Sequence, residues 1–195
     1  MRKLVVYNFV SLDGMYSGLN NDGTELFPMM GDTFYAYNAE LLRNADYFLI
    51  GRASYELFTS YWSEVAEDPA SDRWTDEERD IVDSGEDVLE IVVSDTLSLD
   101  TKDVEVVRRA AVYDRIAELK AGDGKDILMT GSRTLWNDLM EHGCVDELHL
   151  MIGNEVLGVG TPLFVGKPHV ALHLRDVRTW DGVDTHLAVY AVGEQ

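Results

Sequence analysis

The stretch that most constrains this chain runs from Asp126 to Gly143, DILMTGSRTLWNDLMEHG. Ile127, Leu128 and Met129 form a short apolar run of the kind a strand covered on both faces requires. Gly131 interrupts it, and Leu135, Trp136, Leu139 and Met140 then recur at the spacing of one helical face. Ser132 or Thr130 is placed to cap the helix start, and Gly143 stands where a left-handed stop belongs. The pattern predicts a strand, a tight turn and a helix. Such a helix start presents unpaired backbone N–H groups and the positive end of a dipole, a natural seat for a phosphate. Arg133 adds a full positive charge where the dipole disfavours one, so helix stability does not account for it.

The pattern recurs at Asp46 to Trp62, DYFLIGRASYELFTSYW. Tyr47 to Ile50 reads as a strand, Gly51 as a turn, and Tyr55, Leu57, Phe58, Tyr61 and Trp62 as a strongly apolar helix. Again an arginine, Arg52, stands at the helix entrance, with Ser54 beside it. The chain holds 16 basic residues against 36 acidic ones, yet two arginines follow strand-ending glycines. Two readings are open: a pair of solvated surface arginines, or two phosphate-facing turns on one edge of a sheet.

Composition limits the alternatives. The 195 residues are enough for one domain with a sizeable core, spanning 1–195. No apolar run reaches membrane-spanning length. Met1-Arg2-Lys3-Leu4 leads directly into a strand pattern, so no signal peptide is expected. The single cysteine, Cys144, fits a reducing, cytoplasmic setting and no internal disulfide. A net charge of −20 argues against nucleic acid and anionic membrane as partners, since both need a basic face. The same charge means that an anionic ligand must be drawn in by local positive groups.

In chain order, residues 3–10 predict a first strand and Ser11-Leu12-Asp13-Gly14 a turn, with polar, Gly-rich sequence continuing to Gly23. Asp13 reads either as a stabiliser of that turn or as a polar group facing a ligand at the strand end. Phe34 to Leu42 predicts a helix. Residues 64–90 carry 12 acids against Arg73 and Arg79, so −10 of the −20 sits in what reads as a surface excursion. Within it, Thr75-Asp76-Glu77-Glu78 is a capping box for a short helix ending near Asp83. Val88 to Ser94 and Val104 to Val107 predict strands, and Ala110 to Ala121 a helix with Ile116 and Leu119 inward. Val145 to Ile152 alternates, with Leu148, Leu150 and Ile152 on one side. Val170 to Trp180 and Thr185 to Val192 predict strands joined at Asp181-Gly182. Helix–strand alternation followed by a strand-rich end predicts a mixed sheet, parallel at its centre with an antiparallel edge. The five histidines show no metal-ligand spacing, and no GxSxG, CxxC or Walker A motif occurs.

Six segments occur in an order that resembles a known family: YNFVSLDG at 7–14, LIGRASYE at 49–56, VVSDTL at 92–97, ILMTGSRTL at 127–135, VDELHL at 145–150 and EVLGVGTPLF at 155–164. The chain resembles the dihydrofolate-reductase-like family that includes the reductase domain of the riboflavin-pathway deaminase-reductase. The resemblance implies a three-layer α/β fold and an NADPH-dependent reductase of a pterin-like or ribosylamino-pyrimidine substrate, in a chain that often dimerises. It implies that Ile50, Gly51, Arg52 and Ser54 hold cofactor phosphate and that Ser94 and Asp95 lie near the adenosine end. Gly131, Ser132, Arg133, Thr134 and Leu135 would cradle the pyrophosphate. Asn8, Val10 and Asp13 would border the nicotinamide or the substrate, with Asp13 or water as the proton source. An aspartate facing the ribose 2′-OH would favour NADH, whereas Arg52 meeting a 2′-phosphate would favour NADPH. Turns that grip phosphate can also grip a flavin nucleotide, FMN or FAD, and a non-catalytic binder on the same scaffold is a further alternative. A homodimer built partly from the strand-rich C-terminal third is expected.

Overall fold

The computed structural model describes residues 1–19, 24–99, 101, 104–166 and 168–193. The end of the Gly-rich stretch, residues 20–23, lies outside the described residues. In chain order the elements are β1 (Leu4–Val10), β2 (Met15–Ser17), α1 (Phe27–Arg43), β3 (Ala45–Gly51), α2 (Arg52–Glu67), α3 (Asp76–Gly85), β4 (Leu89–Val93) and β5 (Val104–Val107). Then follow α4 (Val112–Ala121), β6 (Asp126–Thr130), α5 (Arg133–Glu141), β7 (Glu147–Ile152), β8 (Thr161–Pro162), β9 (Leu172–Thr179) and β10 (His186–Val192).

The chain divides into two compact units, one formed by Met1–Leu4 with Tyr35–Ser132 and the other by Val5–Phe34 with Arg133–Gln195. In the first unit the strands lie in the order β5-β4-β3-β6, and every pairing is parallel. All four strands therefore end on one edge, and the turns that follow them are neighbours. Ile91, Val92, Ile127, Leu128 and Met129 are fully buried, as strands covered on both faces require. Helix α4 turns Val112, Ile116 and Leu119 inward.

In the second unit β1 pairs with β7 in parallel, and β7, β10 and β9 continue antiparallel. All of β1 is buried, and β7 buries Leu148, His149, Leu150 and Met151 on both faces rather than on one. The last two strands form the expected hairpin, with Gly182 at φ 76 in the turn. Helix α5 buries Leu135, Trp136, Leu139 and Met140. It ends as the sequence requires: Gly143 adopts φ 69, its N–H reaches Met140 O, and Cys144 N–H reaches Leu139 O.

Three elements depart from the sequence reading. Helix α1 starts at Phe27, seven residues before Phe34, but Gly31 (φ 57) breaks it, so its regular turns coincide with the expected helix. Helix α2 runs on to Glu67 yet buries only Val65, leaving Leu57 58% exposed. Its apolar residues form an edge-on aromatic chain instead, Tyr35 to Trp62, Trp62 to Tyr61 and Tyr61 to Trp74. The acidic excursion is not all surface. Its capping box closes through Thr75 and Glu78, and Trp74, Glu78 and Ile81 are buried, with Tyr61 donating to Glu78.

Candidate functional site

In the first unit the turns after β3, β4 and β6 carry most of the residues marked by the sequence. The turns after β3 and β6 are tied to each other. The backbone N–H of Gly51 donates to Oγ of Ser132 (2.8 Å), and the N–H of Ser132 donates to Oγ of Ser54 (3.0 Å). Ser132 adopts φ 50, a left-handed conformation a side chain rarely takes, directly after Gly131 at φ 67. A Cβ on Gly131 would lie 3.3 Å from Ser54 Oγ and 3.2 Å from the Phe58 ring. A side chain there would press on helix α2 as well as adopt a strained conformation. The caps suggested for α5 are used differently: the Ser132 hydroxyl serves Gly51, and buried Thr130 Oγ1 has no hydrogen-bond partner among the described residues.

Arg52 opens α2 with an exposed guanidinium that donates to Thr96 Oγ1 (3.2 Å) and lies 3.6 Å from Glu56. Ser94 is buried, and its hydroxyl accepts from the N–H groups of Thr96 and Leu97, fixing the turn after β4. Asp95 points its Oδ1 at the backbone N–H of Arg109 (3.0 Å), so that oxygen stitches the ends of β4 and β5 together. Ile50 is fully buried and belongs to the core beneath these turns.

In the second unit Arg133 spends its charge on the loop after β7. Its guanidinium donates to the carbonyls of Pro162 and Phe164. Burial lowers its pKa, with a partly opposing contribution from Tyr16. The Arg133 backbone N–H meets the hydroxyl of Tyr16, whose pKa burial pushes up. Thr134 is exposed on the first turn of α5, and Leu135 is buried in its core face. Asn137, buried mid-helix, donates to Arg133 O and Leu163 O and accepts from Val165 N–H. Trp136 meets Phe164 edge-on at 5.9 Å. Asp13 holds the same loop farther along, accepting from Ser11 Oγ (2.6 Å), Leu157 N (3.1 Å) and Gly158 N (2.8 Å). The Ser11 hydroxyl and then the Gly158 N–H hold the Asp13 carboxyl below the usual range. Asn8 and Val10 are buried at the end of β1, where Val10 O accepts from Gly153 N.

Sequence reasoning did not mark Tyr16, Asn137 or Arg109. Asn137 had a signal, a polar residue inside the apolar face of α5. The others become visible only once the strand order is known. Among the described residues no cluster of histidine, cysteine or carboxylate groups suits a metal ion, and no helix is long and apolar enough to cross a membrane.

A central parallel sheet with antiparallel C-terminal strands, and glycine turns at its strand ends, defines a dihydrofolate-reductase-like fold. Known proteins agree. A putative riboflavin biosynthesis protein from Shewanella sp. PV-4 superposes with TM-score 0.67 at 19% identity, covering 98% of this chain and 99% of that one. Dihydrofolate reductase from Enterococcus faecalis, complexed with NADP(H), superposes with TM-score 0.57 at 13% identity, covering 98% and 97%. The chain is 30% identical over 188 residues to the uncharacterized protein YyaP of Bacillus subtilis, across 92% of this chain and 89% of that one. Residues 2–187 match the RibD C-terminal domain, and the chain belongs to that reductase-like family.

Proposed function

We propose that this protein is an NADPH-dependent reductase of a small heterocyclic substrate, pterin-like or ribosylamino-pyrimidine-like. The observation that carries the reading is the edge of the first unit. There a glycine at φ 67 packed close against Ser54 and Phe58, two serine hydroxyls and the exposed cation of Arg52 stand on turns after parallel strands. This donor set suits the phosphates of a dinucleotide, and ligands of open parallel sheets bind beyond the carboxyl ends of the strands. Gly51, Arg52, Ser54, Ser94, Gly131 and Ser132 would hold it.

The nicotinamide, when bound, supplies the hydride. The protein residues orient, exclude water and manage the proton. Buried Asn8 and Val10 are the proposed neighbours of the ring or the substrate. Asp13, held ionised by three hydrogen bonds, acts as the anchor of the loop at Leu157 and Gly158, which leaves proton delivery to water. The same reading includes a cytoplasmic homodimer. A single cysteine, Cys144, fits a reducing compartment, and the terminal strand β9 exposes Leu174 and Val177, an edge that wants cover.

The test is oxidation of NADPH over a panel of pterins, pyrimidines and quinones, with a visible spectrum of the purified protein. Substrate-dependent turnover by a colourless protein is expected. A bound flavin chromophore would move the assignment to a flavin enzyme, and no NADPH binding by calorimetry would sink it.

A further inference from the structure

Helix α3, in the first unit, is held by little that is apolar. Of its ten residues only Glu78 and Ile81 are buried. One carboxylate oxygen of Glu78 accepts from the hydroxyl of Tyr61 on α2, and the other accepts from the backbone N–H of Thr75 (2.7 Å). Arginines pin the rest. Arg73 meets Glu64 of α2 at 3.3 Å and lies over the Trp74 ring. Arg79 donates to Asp76 (2.7 Å) and to the carbonyls of Pro69 and Ser71, and Arg43 of α1 pairs with Asp80.

Against these ties stands charge of one sign. Residues 64–90 hold 12 acids and two arginines. Asp76, Asp80 and Asp83 are four and three residues apart, where like charges on a helix repel. No cation occupies the last turn of α3, and Asp83, Glu86 and Asp87 stand at the negative end of its dipole. Beside them lies a polar cavity of about 330 Å³, where Asp46, Asp80, Asp83 and Asp87 outnumber Arg43 and Lys125. Charges act on one another over about 10 Å in 0.1 M salt and over about 3 Å in 1 M salt. Molar salt therefore removes repulsion between carboxylates a helical turn apart, while the burial of Ile81 and much of the contacts at 2.7 and 3.3 Å persist.

We propose that α3, with the segment leading into it, is a salt-dependent clamp: it docks on α1 and α2 at high ionic strength and releases them as ionic strength falls. The device is a balance of many weak repulsions against a few contacts, and it needs no bound ligand. Through Tyr61 it acts on α2, the helix that opens with Arg52 and Ser54. It stands independently of the dinucleotide reading.

The experiment is amide hydrogen exchange of the full chain in about 0.1 M and about 1 M KCl, read at α3 with the buried strand β6 as internal reference. Wild-type α3 should gain at least roughly tenfold protection in the higher salt, while β6 changes less than about twofold. The double variant Asp83→Asn/Asp87→Asn neutralises two exposed carboxylates that have no hydrogen bond or ion pair among the described residues. It should carry much of that protection already at the lower salt, and its response to KCl should be at least roughly threefold smaller than that of wild type. Protection of α3 that stays constant or falls in the higher salt overturns the inference. An equal gain at β6 overturns it as well, because it marks a salt effect on the whole molecule. A double variant that keeps the full wild-type response also overturns it, because the carboxylates are then not what salt acts on.

Discussion

Ser54 and Ser132, far apart in sequence, are joined where β3 and β6 end: the Ser132 N–H donates to Ser54 Oγ at 3.0 Å. The return bond, from Gly51 N–H to Ser132 Oγ at 2.8 Å, makes the tie reciprocal. Each hydroxyl satisfies a backbone donor that a bare helix start would leave open.

Ser132→Ala removes one half of this tie and keeps a side chain in a left-handed position. It should cost about 1 kcal/mol in urea unfolding, and Ser54→Ala a similar amount. The double variant should cost less than the two singles added together, because the turns are coupled. Strict additivity would show that the two bonds do not act as one device. Gly131→Ala should cost more than either, since it combines φ 67 with the contact on Ser54 Oγ.

Arg52→Ala should weaken NADPH by roughly 1.5–3 kcal/mol, the worth of a charge-assisted hydrogen bond. Calorimetric affinity equal to wild type would remove Arg52 from the site. Fold stability should barely change, because its pair with Glu56 is exposed.

Arg133→Ala should behave in the opposite way. Its guanidinium holds two loop carbonyls, so limited proteolysis near residues 157–166 should accelerate while NADPH affinity stays within about twofold. A large loss of NADPH affinity with an intact loop would return Arg133 to the phosphate.

Glu90 lies half-buried on β4, opposite Phe48 and Val104, and burial raises its pKa. A raised folded pKa means that its contribution to stability is full below the unfolded value and is lost as pH rises through the folded one. Glu90→Gln should therefore raise Tm at neutral pH and change little below about pH 4. An equal shift at both pH values would point to packing rather than charge.

Leu174→Arg/Val177→Arg should convert a dimer into a monomer by light scattering, since the two residues are 57% and 51% exposed on β9. A mass unchanged from wild type would place the contact elsewhere or show that there is none.

Much of the fold was legible. The strands at Leu4–Val10 and Asp126–Thr130, the Gly143 stop and the Thr75–Glu78 box follow local rules that neighbours in sequence satisfy. What the sequence left out needed partners distant in the chain. Arg133 was marked for a charge that nothing nearby in the chain explained; the carbonyls its guanidinium meets lie at Pro162 and Phe164, out of reach of local pattern. Helix α2 looked like a core helix because its periodicity is apolar, but periodicity cannot tell which face finds cover. The Arg109 tie to Asp95 drew no notice because only the strand order brings the ends of β4 and β5 together.

Asp95 illustrates how a ligand preference can be misread from the sign of a charge. On the proposed dinucleotide reading, a carboxylate at this strand end counts, on paper, as a vote against phosphate. Its lone pair is instead aimed into a backbone amide, and the residue it grips carries the opposite sign. The same acidic side chain becomes a bracket between two strand ends. What a carboxylate contributes at this edge is then a matter of direction before it is a matter of charge.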